Sequence, residues 1–165
     1  MNALDAPAQE VLNIRYADGF SGGVNGAVWN ADGTRLLTWS RDNTARVTDA
    51  ATGEALLTIR HDGSVYGAAW NADETRLLTW SDDDTARVTD TATEATLLTI
   101  GHNSSVRGAA WNADETRLLT WSWDDTARVT DAATGATLLT IAHDESDYSV
   151  WGAAWNADET RLLTW

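Results

Sequence analysis

The chain has no cysteine and no lysine among its 165 residues, and no long apolar run. Without cysteine there can be no disulfide, thiolate metal site or cysteine nucleophile. Without lysine, all 11 basic residues are arginine, and against 25 acidic residues they leave a formal net charge of −14. A field of that sign repels phosphate backbones and anionic lipid surfaces, so neither nucleic acid nor a membrane is an expected partner. Surplus aspartate is also what short turns consume. No stretch approaches the ~20 apolar residues of a membrane helix. The opening Met1 to Glu10 has neither a basic start nor an apolar core, so no secretory signal is expected and the default location is cytoplasmic.

What the chain does have is tryptophan at a fixed interval. The ten tryptophans stand at 29, 39, 70, 80, 111, 121, 123, 151, 155 and 165. Successive members of the 29 and 39 series lie 41 residues apart, and the last interval in each series is 44. Such spacing marks an array of one unit, four of which account for the chain. Residues 67–100 and 108–141 differ at only three of 34 positions: Asp82/Trp123, Thr91/Ala132 and Glu94/Gly135. That identity points to recent duplication or deliberate construction.

Each unit reads as four short strands. Val65 to Trp70, Arg76 to Ser81, Thr85 to Asp90 and Thr96 to Ile100 are rich in Thr, Val, Leu, Ile and Trp. Turns of Asn, Asp and Gly separate them. No segment between turns is long enough for a helix. The expected class is all-β, with antiparallel sheets.

Four strands in about 41 residues make a propeller blade, and the unit resembles the WD-repeat β-propeller family over the whole chain. Gly101-His102 matches the family's Gly-His pair, and Leu77 to Asp90 (LLTWSDDDTARVTD) matches its second and third strands. The namesake Trp-Asp is replaced by Thr-Asp at Thr48-Asp49, Thr89-Asp90 and Thr130-Asp131. The resemblance implies a buried hydrogen-bond relay through His61, Thr79 and Asp83 and through His102, Thr120 and Asp124. It is expected in two blades only, because Tyr16 stands in the histidine position before the first. All three histidines share one repeat position, which argues for structure rather than catalysis.

The alignment divides residues 1–165, a single propeller unit, into complete blades at 24–60, 65–100 and 106–141. Residues 1–16 are the third and fourth strands of a further blade, and 150–165 its first and second. Unpaired half-blades are open sheet edges that proteins pair or cover. One chain could close on itself with four blades, at roughly 90° each. Two chains could instead exchange halves into an eight-bladed ring, which suits the ~50° per blade of a family that usually closes near seven. The eight-bladed homodimer is the expectation.

In a nearly uniform array, the informative positions are those that break uniformity. Asn25, Tyr66, Arg107 and Trp151 follow the valine that opens each first strand, while Arg41, Asp82 and Trp123 occupy the turn between second and third strands. The loop before each first strand also varies in length, and the last of these loops contains Tyr148. Antiparallel order sends these classes to one face of the disc, and aromatic and arginine side chains there suit a protein or peptide partner. Trp123 and Trp151 are the two tryptophans outside the repeat spacing. Enzyme signals are weak. Asp82-Asp83-Asp84 lacks the Gly and distal Glu of a calcium loop, and no unit offers nucleophile, base and oxyanion site together. No catalytic residue, metal or cofactor is expected. The function expected is non-catalytic recognition or scaffolding, with a purely structural self-assembling propeller fragment, natural or engineered, as the alternative.

Overall fold

The computed structural model describes residues 23–143 and 149–165. The strands expected in residues 1–16, and Tyr148, lie outside that set. Strands β1 (Val24–Trp29), β2 (Arg35–Ser40), β3 (Thr44–Asp49) and β4 (Ala55–Arg60) form one antiparallel sheet in sequential order. Strands β5 (Val65–Trp70), β6 (Arg76–Ser81), β7 (Thr85–Asp90) and β8 (Thr96–Gly101) form the second. The third comprises β9 (Val106–Trp111), β10 (Arg117–Ser122), β11 (Thr126–Asp131) and β12 (Thr137–Ala142). A two-stranded sheet, β13 (Ala153–Trp155) and β14 (Leu162–Thr164), follows. The described residues are therefore all-β: three four-stranded blades and a pair of strands, in an open array. The fourth strand of the second blade runs one residue past the sequence expectation, because Gly101 pairs with Thr85.

The aspartate surplus is spent in the turns. Asp73 accepts hydrogen bonds from the Thr75 amide (3.1 Å) and hydroxyl (2.6 Å), and Asp32, Asp114 and Asp158 repeat this. Asp49, Asp90 and Asp131 accept two amides and a threonine hydroxyl each in the loop before the last strand. Side chains that satisfy orphan amides this way hold a turn at fixed geometry. The threonine hydrogen bonds also hold the Asp73 and Asp114 carboxyls below the ordinary carboxylate range.

The core lies between blades, not within them. Leu37, Ala45, Val47, Leu57 and Ile59 of the first blade bury against Val65, Ala68 and Leu77 of the second. The same pattern joins the second blade to the third, and the third to Val150 and Ala153 before and in β13. A single sheet has no apolar interior of its own, so each blade depends on its neighbours for burial.

The repeated Trp and Gly are two halves of one contact. The rings of Trp39, Trp80, Trp121 and Trp165 lie on Gly26, Gly67, Gly108 and Gly152, where a β-carbon would come within 2.3 Å of the indole. Only glycine leaves room for that ring on the neighbouring strand.

The first blade presents an uncovered face. Val24 is 49% exposed, whereas its counterparts Val65, Val106 and Val150 are 0%, 0% and 1% exposed. Trp29, on the same face, is exposed as well. At the other end of the array a groove of about 550 Å³ opens between β12 and β14, lined by Leu138, Leu139, Ile141, Trp155 and Leu162.

Candidate functional site

Two buried relays brace the face where the second-to-third-strand turns lie. His61 Nδ1 is 2.8 Å from Asp83 Oδ2, and His61 Nε2 is 2.8 Å from Thr79 Oγ1. The carboxylate accepts, so Nδ1 carries the proton and Nε2 accepts from the threonine hydroxyl. Asp83 also accepts from the Asp62 amide (3.0 Å), Thr85 Oγ1 (2.6 Å) and Arg87 Nη2 (3.0 Å). His102, Thr120 and Asp124 repeat the arrangement at 2.8 Å (Nε2 to Thr120 Oγ1) and 3.0 Å (Nδ1 to Asp124 Oδ2). Burial holds both imidazoles below their ordinary value, against the pull of the aspartates. Burial also tends to raise the Asp124 carboxyl. Hydrogen bonds from Thr126, the Asn103 amide and His102 outweigh it and bring the group down to about 2. A His–Asp pair that is buried, saturated and closed by threonine is a brace, with no free lone pair aimed at a substrate.

A third, partial relay was not read from the sequence. His143 Nε2 lies 2.9 Å from Thr164 Oγ1, joining the third blade's end to β14 in an exposed setting. Its signal was available, since His143 and Thr164 occupy the repeat positions of His102 and Thr120. Thr89 and Thr130, which replace the family's tryptophan, are buried, and their hydroxyls have no hydrogen-bond partner among the described residues.

The variable residues form a continuous ladder along the rim of that face. In each complete blade the pairing of first and second strands slips by one residue, leaving Asn25, Tyr66 and Arg107 as the extra residue of a β-bulge. A bulge frees its residue from the ladder and re-aims the side chain. Every bulged residue then meets the variable turn residue of its own blade. Arg41 Nε donates to Asn25 Oδ1 (3.3 Å), Tyr66 OH donates to Asp82 Oδ1 (2.8 Å), and the Arg107 guanidinium lies 4.3 Å from the Trp123 ring centre.

Contacts also cross from blade to blade. Asn25 Nδ2 donates to the Val65 carbonyl (2.8 Å), and Arg107 lies 4.1 Å over the Tyr66 ring, sandwiched between it and Trp123. Trp123 meets Trp151 edge to face at 6.5 Å, and Ser105 Oγ donates to Asp82 Oδ1 (2.6 Å). Burial and the Asp82 carboxylate push the Tyr66 phenol up, so it remains a donor. Ser105 escaped the sequence reading because serine is unremarkable in a loop. Its role appears only when Asp82 of the preceding blade comes within reach. Trp123 and Trp151 keep their outer surfaces open, Trp151 at 64% exposure. Among the described residues no group of His, Asp or Glu is arranged to hold a metal ion, and no helix is long and apolar enough to cross a membrane.

The family model described as "WD domain, G-beta repeat" matches residues 53–90 and 94–131. Each match begins in the loop before a fourth strand and ends with the third strand of the next blade, so the sequence unit is offset by one strand from the structural blade. No curated protein matches the chain. Domains of this family are generally non-catalytic and mediate protein interactions. The two matched segments are WD repeats, and the four-stranded antiparallel blades and the near-identity of the units are consistent with the WD-repeat family.

Proposed function

We propose that this chain is a non-catalytic recognition module that binds a protein or peptide on the rim built by Tyr66, Arg107, Trp123 and Trp151, flanked by Asn25, Arg41 and Asp82. The observation that carries the reading is the aromatic–arginine stack. Radical changes at equivalent positions have produced a contiguous surface spanning three blade interfaces, with two tryptophan faces still open to solvent. Aromatic and arginine side chains on a rigid support lose little conformational entropy on binding and are the usual anchors of interfaces. A peptide array probed with the full chain tests it. Bound peptides should be lost with Trp123→Ala and Trp151→Ala while the far-UV spectrum is unchanged. Binding that survives both substitutions overturns the proposal.

A specific observation also favours self-association. Val24 and Trp29 are exposed on one face of the first blade, while Val65 and Val106, the counterparts of Val24, are sealed between blades. Two copies that exchanged their half-blades would seal that face and form an eight-bladed ring. The measurement is the solution mass: twice 17.9 kDa is expected, and a mass of one chain at all concentrations overturns it.

A further inference from the structure

On the face opposite the rim, each blade is locked to the one before it by a carboxylate. Glu74 sits in the turn of the second blade at φ +60°, a left-handed conformation that costs a non-glycine residue energy. Its Oε2 accepts from Asn30 Nδ2 (3.0 Å) and its Oε1 from the Ala31 amide (2.6 Å) of the first blade. Glu115, at φ +59°, does the same to Asn71 (2.8 Å) and the Ala72 amide. Glu159, at φ +55°, does so to Asn112 (2.9 Å) and the Ala113 amide. Asn30, Asn71 and Asn112 are all buried under the blade that follows. Asn156, the fourth of the series, is exposed, and among the described residues its side chain donates only within its own turn, to Asp158 (2.6 Å) and weakly to Thr160 (3.4 Å).

The turn of the first blade carries Gly33 where the others carry glutamate, with the same left-handed backbone at φ +72°. That blade is also the one whose leading face, with Val24 and Trp29, is uncovered. In an array of repeated interfaces, the surface fitting that face is the trailing surface of the last unit, which carries Asn156 and the exposed Leu163, the counterpart of the buried Leu37, Leu78 and Leu119. The interface needed is the one the chain already makes three times internally.

We infer that a second copy of this chain seats its Asn156 end on the leading face of the first blade, and that Gly33 withholds from this seam the carboxylate clamp present at every other one. This rests on the self-association proposed above. The blade-to-blade contact at the first blade then lacks the charge-assisted pair of hydrogen bonds that strengthens every other one. Nothing lies within 4 Å of a β-carbon built on Gly33, so a side chain has room there.

The test is subunit exchange between two fluorescently labelled batches of the full chain, after its mass has been measured by sedimentation. Gly33→Ala carries the backbone strain without the carboxylate, and Gly33→Glu carries both. Gly33→Glu should exchange about tenfold more slowly than Gly33→Ala, and adding Asn156→Ala should bring the two within twofold. Equal exchange of the Glu and Ala variants, in a chain with the mass of an oligomer, refutes the clamp and leaves self-association standing. A slowing that persists with Asn156→Ala refutes the pairing with Asn156. A monomer mass refutes the self-association reading and this inference with it.

Discussion

Replacing Gly108 by alanine tests the claim that the Gly–Trp contact, not strand propensity, keeps glycine in every first strand. The new β-carbon would stand 1.9 Å from Trp121 Cζ2 and 2.2 Å from Cε2. Carbon atoms pack at about 3.5–4.0 Å, so the indole must retreat by roughly 1.5–2 Å. It is packed against the cluster of Leu119, Ala127 and Val150 on that side, and such overpacking costs about 1–3 kcal/mol. Backbone propensity works the other way, since alanine in a strand is about 0.5–1 kcal/mol better than glycine. The net expectation is a loss of about 2 kcal/mol, read from urea unfolding by far-UV circular dichroism at one fixed protein concentration. Two comparisons make the result specific. In a Trp121→Ala background, Gly108→Ala should be neutral or slightly stabilising, because the ring that clashes is gone. Gly101→Ala, with nothing within 4 Å, should change stability by less than about 0.5 kcal/mol. A Gly108→Ala cost that is the same with and without Trp121 would refute the steric account.

Other outcomes follow from the buried polar groups. His102→Ala removes both hydrogen bonds of a relay and leaves Thr120 Oγ1 and part of Asp124 unpaired, a loss of about 2–4 kcal/mol by urea unfolding. The pH dependence has a definite sign. The imidazoles of His61 and His102 are held below 6.5 in the fold, so on acidification the unfolded chain takes up their protons first and stability falls below about pH 6.5. Asp124, brought from 3.8 to about 2, contributes stability above pH 3.8 that is lost as pH falls through about 2. Flat stability from pH 7 to 5 would contradict the histidine assignment. Thr89→Val removes a buried hydroxyl without a partner among the described residues and keeps the shape, so it should stabilise by about 1 kcal/mol. Arg107→Lys should loosen the rim, because an ammonium cannot stack flat between Tyr66 and Trp123. The expected readout is a shift in tryptophan emission at unchanged far-UV signal.

Much of the architecture was legible because a blade is a local object. Strand content, turn positions and the repeat interval depend on residues within about 40 positions, and threonine, valine and tryptophan between Asp-rich turns leave few alternatives. Spacing alone also separated Trp123 and Trp151 from the eight structural tryptophans. The bulge at Asn25, Tyr66 and Arg107 was not legible. A one-residue slip in pairing leaves no mark in composition, yet it decides where those side chains go. Tyr66 and Arg107 were read as variable positions; that the two touch depends on a blade-to-blade distance that no periodicity contains.

The sequence by itself determined an array of four-stranded units and the acidity that their turns require, since both are set by local hydrogen bonding and burial period. Tertiary structure alone decided what passes between units. Arg107 enters a sandwich because adjacent blades converge at the rim. Glu74, Glu115 and Glu159 accept left-handed strain because the preceding blade offers an asparagine and an amide in return. Gly33 differs from them in one letter of sequence, and only the position of its blade, with an uncovered apolar face before it, gives that letter a meaning.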